Sequence, residues 1–205
     1  CVPEMAAAAE VGIWESTDQL RTWHRVGTAL RGTRLIDPTL FQHEGRWWLF
    51  GAIRGDARVD ELHAWHAPTP MGPWEPHASN PIKVDARSTR PAGTPFRVDG
   101  MLHRPAQDCS RTYGGAISIN RIDELSPGRF RETPVARIEC GKDWVFCQGT
   151  HTISQVDEQT FVIDAKRTRL SAASFLRQVR AWRQRRVTPA AATRQSLRTC
   201  SIPQS

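Results

Sequence analysis

"LIDPTLFQHEGRWWLFG", residues 35–51, decides the fold. An apolar run, a Glu-Gly pair and a second apolar run read as two antiparallel strands joined by a tight turn, because glycine accepts the positive φ that such turns demand. Leu40, Phe41, Trp47 and Leu49 are then the apolar positions of a hairpin. The same plan returns in "RPAGTPFRVDGMLHRPAQD" (90–108), turning on Asp99-Gly100, and more loosely in "GTHTISQVDEQTFVIDAKR" (149–167), turning near Asp157-Glu158. Phe41 to Phe96 and Gly45 to Gly100 are both 55 residues, and Gly100 to Glu158 is 58. Repeated units at a fixed spacing decide architecture before any single element does.

Between the first two hairpins lie the strand candidates "ELHAWHAP" (61–68) and "GPWEPH" (72–77). Between the second and third lie "GGAISINRI" (114–122) and "GRFRETPVARI" (128–138). Each period therefore holds about four short strands with Gly/Pro punctuation, the pattern of a β-propeller blade. A β-sandwich also has many short strands, but it does not require a hairpin at constant spacing. Residues 1–165 supply three such periods, fewer than the four to eight blades that close a propeller. The opening "CVPEMAAAAEVGIWES" reads as the end of a second strand, then a third strand near Val11–Glu15 and a fourth near Thr22–Val26. The expectation is an all-β chain, an N-terminally truncated propeller of about three to three and a half blades over residues 1–167.

After Asp164 the pattern changes. "SAASFLRQVRAWRQRR" (171–186) sets Phe175, Leu176, Val179 and Trp182 at helical spacing among arginines, so residues 168–187 are expected to form a basic amphipathic helix and 188–205 a disordered tail. From Lys166 onward there are ten Lys/Arg and no acid, whereas the preceding residues carry 18 basic against 21 acidic side chains. The net charge of +7 thus belongs to the tail. Its helix either packs on the propeller or meets an anionic membrane surface. Nucleic acid fits less well, because no nucleic-acid-binding fold accompanies the charge. Five cysteines without a Cys-x-x-Cys pair, and seven histidines without clustering, give no disulfide framework, no structural zinc site and no other metal site. No cofactor motif or phosphate-cradling glycine loop is present. The expected location is cytoplasmic, peripheral to a membrane if the helix binds one.

In a propeller the innermost strands begin at one rim, so Asp37, Arg90 and His151, each just before the first strand of a repeat, are expected to converge there. Asp37 has a plainer reading as the turn initiator of an Asp-Pro pair. Glu4, Arg104, Gln107, Asp108 and Asp164 lie toward the far ends of returning strands. Carboxylates from different blades meeting in one funnel are what glycoside hydrolysis requires, so Asp37 with Asp108 or Glu4 are the catalytic candidates. Asp164 could instead pair with Lys166 or Arg167. Trp47 and Trp48 must face opposite ways in a strand, and an indole facing the channel would stack on a sugar ring, which makes Trp48 a ligand candidate. Arg90, His151, Arg104, Gln107 and Asp164 complete the ligand-binding set.

"DPTLFQHEGRWWLFG", "GPWEPHASNPI", "RPAGTPFRVDGMLHRPAQDCSRTYGGAISINRI" and "GTHT…VIDAKR", in that order, resemble the N-terminal propeller domain of glucosamine inositolphosphorylceramide transferases and their stand-alone bacterial relatives. More remotely they resemble the five-bladed propellers of arabinanase, xylosidase and invertase-type glycoside hydrolases. The resemblance spans roughly residues 2–167 and implies a five-bladed propeller, a glycan or glycolipid ligand in the central funnel and a glycosyltransferase partner. It also implies that Asp37 occupies the position of the base or pKa modulator in the hydrolases. Arg90 stands where those enzymes present a glutamic acid, which separates this chain from them and favours a non-catalytic glycan-recognition module as the alternative to an enzyme.

Overall fold

The computed structural model describes residues 1–54, 60–141, 143, 145–146 and 148–167. The expected helix of 168–187 and tail of 188–205 lie outside the described residues. Apart from one short 3-10 turn at Ala6–Ala8, the described chain is built from twelve strands in four antiparallel sheets. The first sheet pairs β1 (Glu10–Glu15) with β2 (His24–Arg31). The second runs β3 (Ile36–His43), β4 (Arg46–Arg54), β5 (Asp60–Ala67), β6 (Glu75–Pro76), and the third runs β7 (Phe96–Val98), β8 (Met101–Asp108), β9 (Ala116–Leu125), β10 (Phe130–Ile138). β11 (Ile153–Gln155) and β12 (Phe161–Ile163) make the fourth. The described residues are all-β but for that turn, and the four-strand unit expected from the 55-residue spacing is present twice in full.

Turn chemistry fixes the register. Glu44 and Gly45 have φ of 48° and 73°, and Asp99 and Gly100 have 49° and 75°. Both hairpins thus close through two consecutive left-handed residues, the geometry whose twist matches that of the strands. His43 pairs with Arg46 across one turn and Val98 with Met101 across the other.

Side chains alternate across each strand, and both faces of the second and third sheets are covered. Phe41, Trp48, Phe50, Leu62 and Ala64 from the second sheet bury against Leu102, Ile122 and Leu125 of the third. Phe50 meets Phe41 edge to face at 5.0 Å and Phe130 at 5.8 Å. On its other face, Leu49 and Trp65 pack with Leu35 and with Val11 of β1. Ile117 and Ile119 of β9 turn away from the second sheet and meet Ala92 and Ile153. Each sheet thus packs on the next in chain order, one face forward and one face back.

This layering corrects the reading of Trp48. Its indole is 1% exposed and sits in the core between the second and third sheets. Trp47, on the opposite face of β4, lines an apolar groove beside the first sheet with Leu40, Trp14 and Trp23. Strand side chains project from the two faces of a sheet, and here both faces meet neighbouring sheets. Trp48 therefore contributes packing, not ligand contact.

A buried ion network ties the same two sheets. Glu132 on β10 receives Arg104 Nε at 2.8 Å, Arg104 Nη2 at 2.7 Å and Lys83 Nζ at 2.6 Å. Lys83 belongs to a segment bridged to Leu62 of β5, while Arg104 stands on β8. Arg104 is 1% exposed and also donates to the Ser88 carbonyl at 2.6 Å. It is a structural tie, and its expected ligand role is overturned: its own sheet supplies the carboxylate that a ligand would have had to bring.

Candidate functional site

Asp37 opens β3 on an irregularity. The pairing with β4 shifts between Ile36 and Thr39, and Asp37 holds φ at 50°, a left-handed value that non-glycine residues rarely adopt. A bulge with a strained residue re-aims a side chain at the end of a strand, and Pro38 fixes the chain that follows. Asp37 thus lies within β3 at an irregularity and not in a turn, and its carboxylate reaches Arg90 and Gln107 instead of capping the local backbone.

Asp37 Oδ2 accepts two hydrogen bonds, from Arg90 Nε at 2.8 Å and Gln107 Nε2 at 2.9 Å, and Arg90 Nη2 adds an ion-pair contact at 2.8 Å. Gln107 is held in turn by the Pro91 carbonyl at 2.9 Å, and its main-chain N–H bonds Arg90 O at 2.8 Å. Arg90 also lies 3.8 Å from Asp60 at the start of β5. From the N-terminal segment, Glu4 Oε2 accepts the Asp37 N–H at 3.0 Å. Burial pushes the Asp37 carboxyl above its ordinary value and nearby Glu4 adds to this, against the downward pull of Arg90 and, more weakly, of His151.

A second group adjoins the first. Asp164, just after β12, accepts the N–H of Thr152 at 2.7 Å and of His151 at 2.8 Å, and its other oxygen bonds His151 Nδ1. Burial alone would raise the Asp164 carboxyl, but these backbone donors and the imidazole hold it below the ordinary range. Asp164 makes this dyad rather than the alternative surface pair with Lys166, which donates instead to the Tyr113 carbonyl. The Tyr113 ring joins the two groups. It lies 5.7 Å from the His151 ring and 5.1 Å from the Arg90 guanidinium carbon, with Lys166 Nζ at 5.8 Å.

The structure therefore brings together Glu4, Asp37, Arg90, Gln107, His151 and Asp164 from the expected set. It leaves out Trp48, Arg104 and Asp108. Adjacent strand residues face opposite ways, so when Gln107 reaches Asp37, Asp108 points elsewhere. Asp108 bonds Ser110 through both its N–H, at 3.0 Å, and its hydroxyl, and lies 3.0 Å from Arg137 of β10. Its expected partnership with Asp37 is corrected on that geometry. Two residues enter that the sequence reading passed over, Tyr113 and Asp60, and Lys166 enters through Tyr113 instead of Asp164. Tyr113 carried a signal, being the only tyrosine in the chain and standing before Gly114-Gly115. Among the described residues, no group of three His, Cys, Asp or Glu is placed to hold a metal ion. Nor is any described helix long and apolar enough to cross a membrane.

A family model described as "Glucosamine inositolphosphorylceramide transferase 1, N-terminal" matches residues 2–142. Curated proteins of that name align over 139 residues, at 34% identity in Oryza sativa subsp. japonica and 32% in Arabidopsis thaliana. The alignment covers 65% of this chain but 18% of each of those proteins, so the chain spans under a fifth of their length. Among solved structures, a family 117 glycoside hydrolase from Zobellia galactanivorans aligns with a TM-score of 0.46 at 15% identity, over 76% of this chain and 52% of that one. A GH43 β-xylosidase/α-arabinofuranosidase from a compost metagenome aligns at 0.36 and 9%, over 76% and 73%. Superpositions this loose carry no argument about the site.

Proposed function

The chain belongs to the family of glucosamine inositolphosphorylceramide transferase 1 N-terminal domains, and from that premise we propose that it recognises a glycan, in the setting of glycolipid glycosyl transfer. In this reading the four sheets are consecutive blades of a propeller and the ligand sits at the rim where their first strands begin. The observation that carries it is the convergence of Glu4, Asp37, Arg90 and His151, contributed by the N-terminal segment and by the starts of three successive sheets. Distant chain segments with donors and acceptors aimed at one place are what a polar ligand site requires.

Recognition fits better than hydrolysis. Asp37 is engaged by Arg90 and Gln107, and Asp108 is turned to Ser110 and Arg137. The remaining enzymatic arrangement is Asp37 with Glu4, favoured by the bond from the Asp37 N–H to the Glu4 carboxylate. The test is a glycan array with the full chain, followed by product analysis on every hit. Recognition predicts bound glycan recovered intact, and binding lost in Arg90→Ala. Cleaved or transferred product abolished by Glu4→Gln would establish the enzyme instead. Failure to bind any array glycan, with the chain folded, overturns both.

The glycosyltransferase context of the relatives and the basic residues 171–186 further suggest an anionic membrane surface as partner. Co-sedimentation with phosphatidylserine vesicles at low salt should be strong and should vanish when residues 171–186 are deleted. Binding that survives the deletion removes this segment from the account.

A further inference from the structure

The two groups at the rim differ in what they leave open. Around Asp37, Arg90 and Gln107 the donors and acceptors answer one another. Around His151 they do not. Asp164 is fixed by two backbone N–H groups and accepts His151 Nδ1, so the proton of the neutral imidazole is held on Nδ1. Nε2 is then a lone-pair acceptor. The His151 side chain is 36% exposed, so that acceptor is reachable from solvent. Beside it the Tyr113 residue is 54% exposed. The close approach is built into the backbone: Gly114 has φ of 55°, and a Cβ there would lie 2.6 Å from the Cβ of His151. Gly114 thus lets the loop press Tyr113 against His151.

We infer that Tyr113 and His151 form a subsite for an uncharged, hydroxyl-bearing ring, with Tyr113 as its stacking platform and His151 Nε2 accepting a ligand O–H. This rests on the reading of the rim as a glycan site and specifies the ligand chemistry within it. An acceptor nitrogen demands a donor. A hydroxyl supplies one, whereas an ionised carboxylate or phosphate presents acceptors alone. The exposed part of the Tyr113 ring, beside the Arg90 and Lys166 cations that lie over it, offers π-surface to the C–H face of such a ring. The carboxylate behind the imidazole acts as a positioning residue, as buried acids do wherever one tautomer of histidine must be maintained.

The experiment uses the full chain with methyl α-D-glucopyranoside and myo-inositol as uncharged probes and inositol 1-phosphate as the anionic one. Two-bond proton–nitrogen correlation should find His151 protonated on Nδ1 in the free protein and on Nε2 in Asp164→Asn. One or both uncharged rings should shift the Tyr113 and His151 resonances. Affinity should fall about tenfold in Tyr113→Ala, in His151→Ala and in Asp164→Asn, and about twofold or less in Tyr113→Phe. A free protein protonated on Nε2 overturns the inference without any ligand being involved. Rings that shift Glu4 and Arg90 alone, with affinities unmoved in the Tyr113 and His151 variants, overturn it while leaving the glycan reading intact. Tighter binding of the phosphorylated ring through His151 also overturns it, and uncharged rings that shift nothing at the rim remove the subsite altogether.

Discussion

Two clusters in this chain join arginine to carboxylate, and they differ in what remains after the pairing. Between the second and third sheets, Glu132 is 3% exposed and takes hydrogen bonds from Arg104 and Lys83. At the rim, Asp37 takes Arg90 and Gln107 with its side chain 23% exposed, and the neighbouring Tyr113 and His151 face solvent. In the first, the Glu132 carboxylate and the Arg104 guanidinium are held away from water, with only Lys83 reaching the edge at 18% exposure. The second is a charged scaffold with unused valences at its edge. Burial of a charge is tolerated only where its partners are all internal, and a ligand site requires that some are not.

The sharpest way to break this comparison is to remove the buried acid. Glu132→Ala leaves Arg104 and Lys83 facing each other without a counter-charge, and should cost about 3–5 kcal/mol in chemical denaturation. A loss below about 1 kcal/mol would mean that water already reaches the network. Trp48→Ala should cost a similar 3–5 kcal/mol by opening a cavity between the sheets, while any folded fraction binds ligand as the parent does. Arg90→Ala at the rim should cost less, about 1–3 kcal/mol, because Asp37 can recover water where Glu132 cannot. If Arg90→Ala proves the more damaging, the rim is the structural cluster and the comparison inverts.

Much of this contrast was out of reach of the sequence, for a reason particular residues make plain. The hairpins were legible because turn and strand chemistry are local. Glu44-Gly45 and Asp99-Gly100 adopt the left-handed pairs their composition announces, and expected strands such as 61–68 and 128–138 appear at Asp60–Ala67 and Phe130–Ile138. The convergence of Asp37 and Arg90 was legible because a repeat maps equivalent positions onto equivalent places. What a repeat does not carry is the environment of each face. Arg104 and Asp108 stand on one strand with Gln107, yet their partners Glu132 and Arg137 come from β10, two strands away. Tyr113 belongs to no repeat position, and only the close packing of Gly114 on His151 brings it to the rim.

Acid titration separates the carboxylates by sign, and it divides the rim itself. Glu132 and Asp164 are held below their ordinary values of 4.5 and 3.8, so the stability they contribute is complete above those values and is lost as pH falls through the folded ones. Asp37 is raised above 3.8, so its contribution is fully present below that value and is lost as pH rises through its folded pKa. On acidification below about pH 5 the parent should lose stability with a slope that is shallower in Asp164→Asn and steeper in Asp37→Asn. Equal slopes in the two variants would show that the rim carboxylates do not differ in environment.

The smallest expected effect is on the fold of His151→Ala. The side chain is over a third exposed, and its backbone N–H bond to Asp164 survives truncation. Asp164 keeps its main-chain donors and, being partly exposed, can hydrate the oxygen that loses the imidazole. Stability should therefore shift by about 0.5 kcal/mol or less, within the range of ordinary surface substitutions. Thermal and denaturant midpoints measure this directly. A shift above about 2 kcal/mol would make His151 a packing residue that joins the third sheet to the fourth, and the open edge of the rim would then be as closed as the network around Glu132.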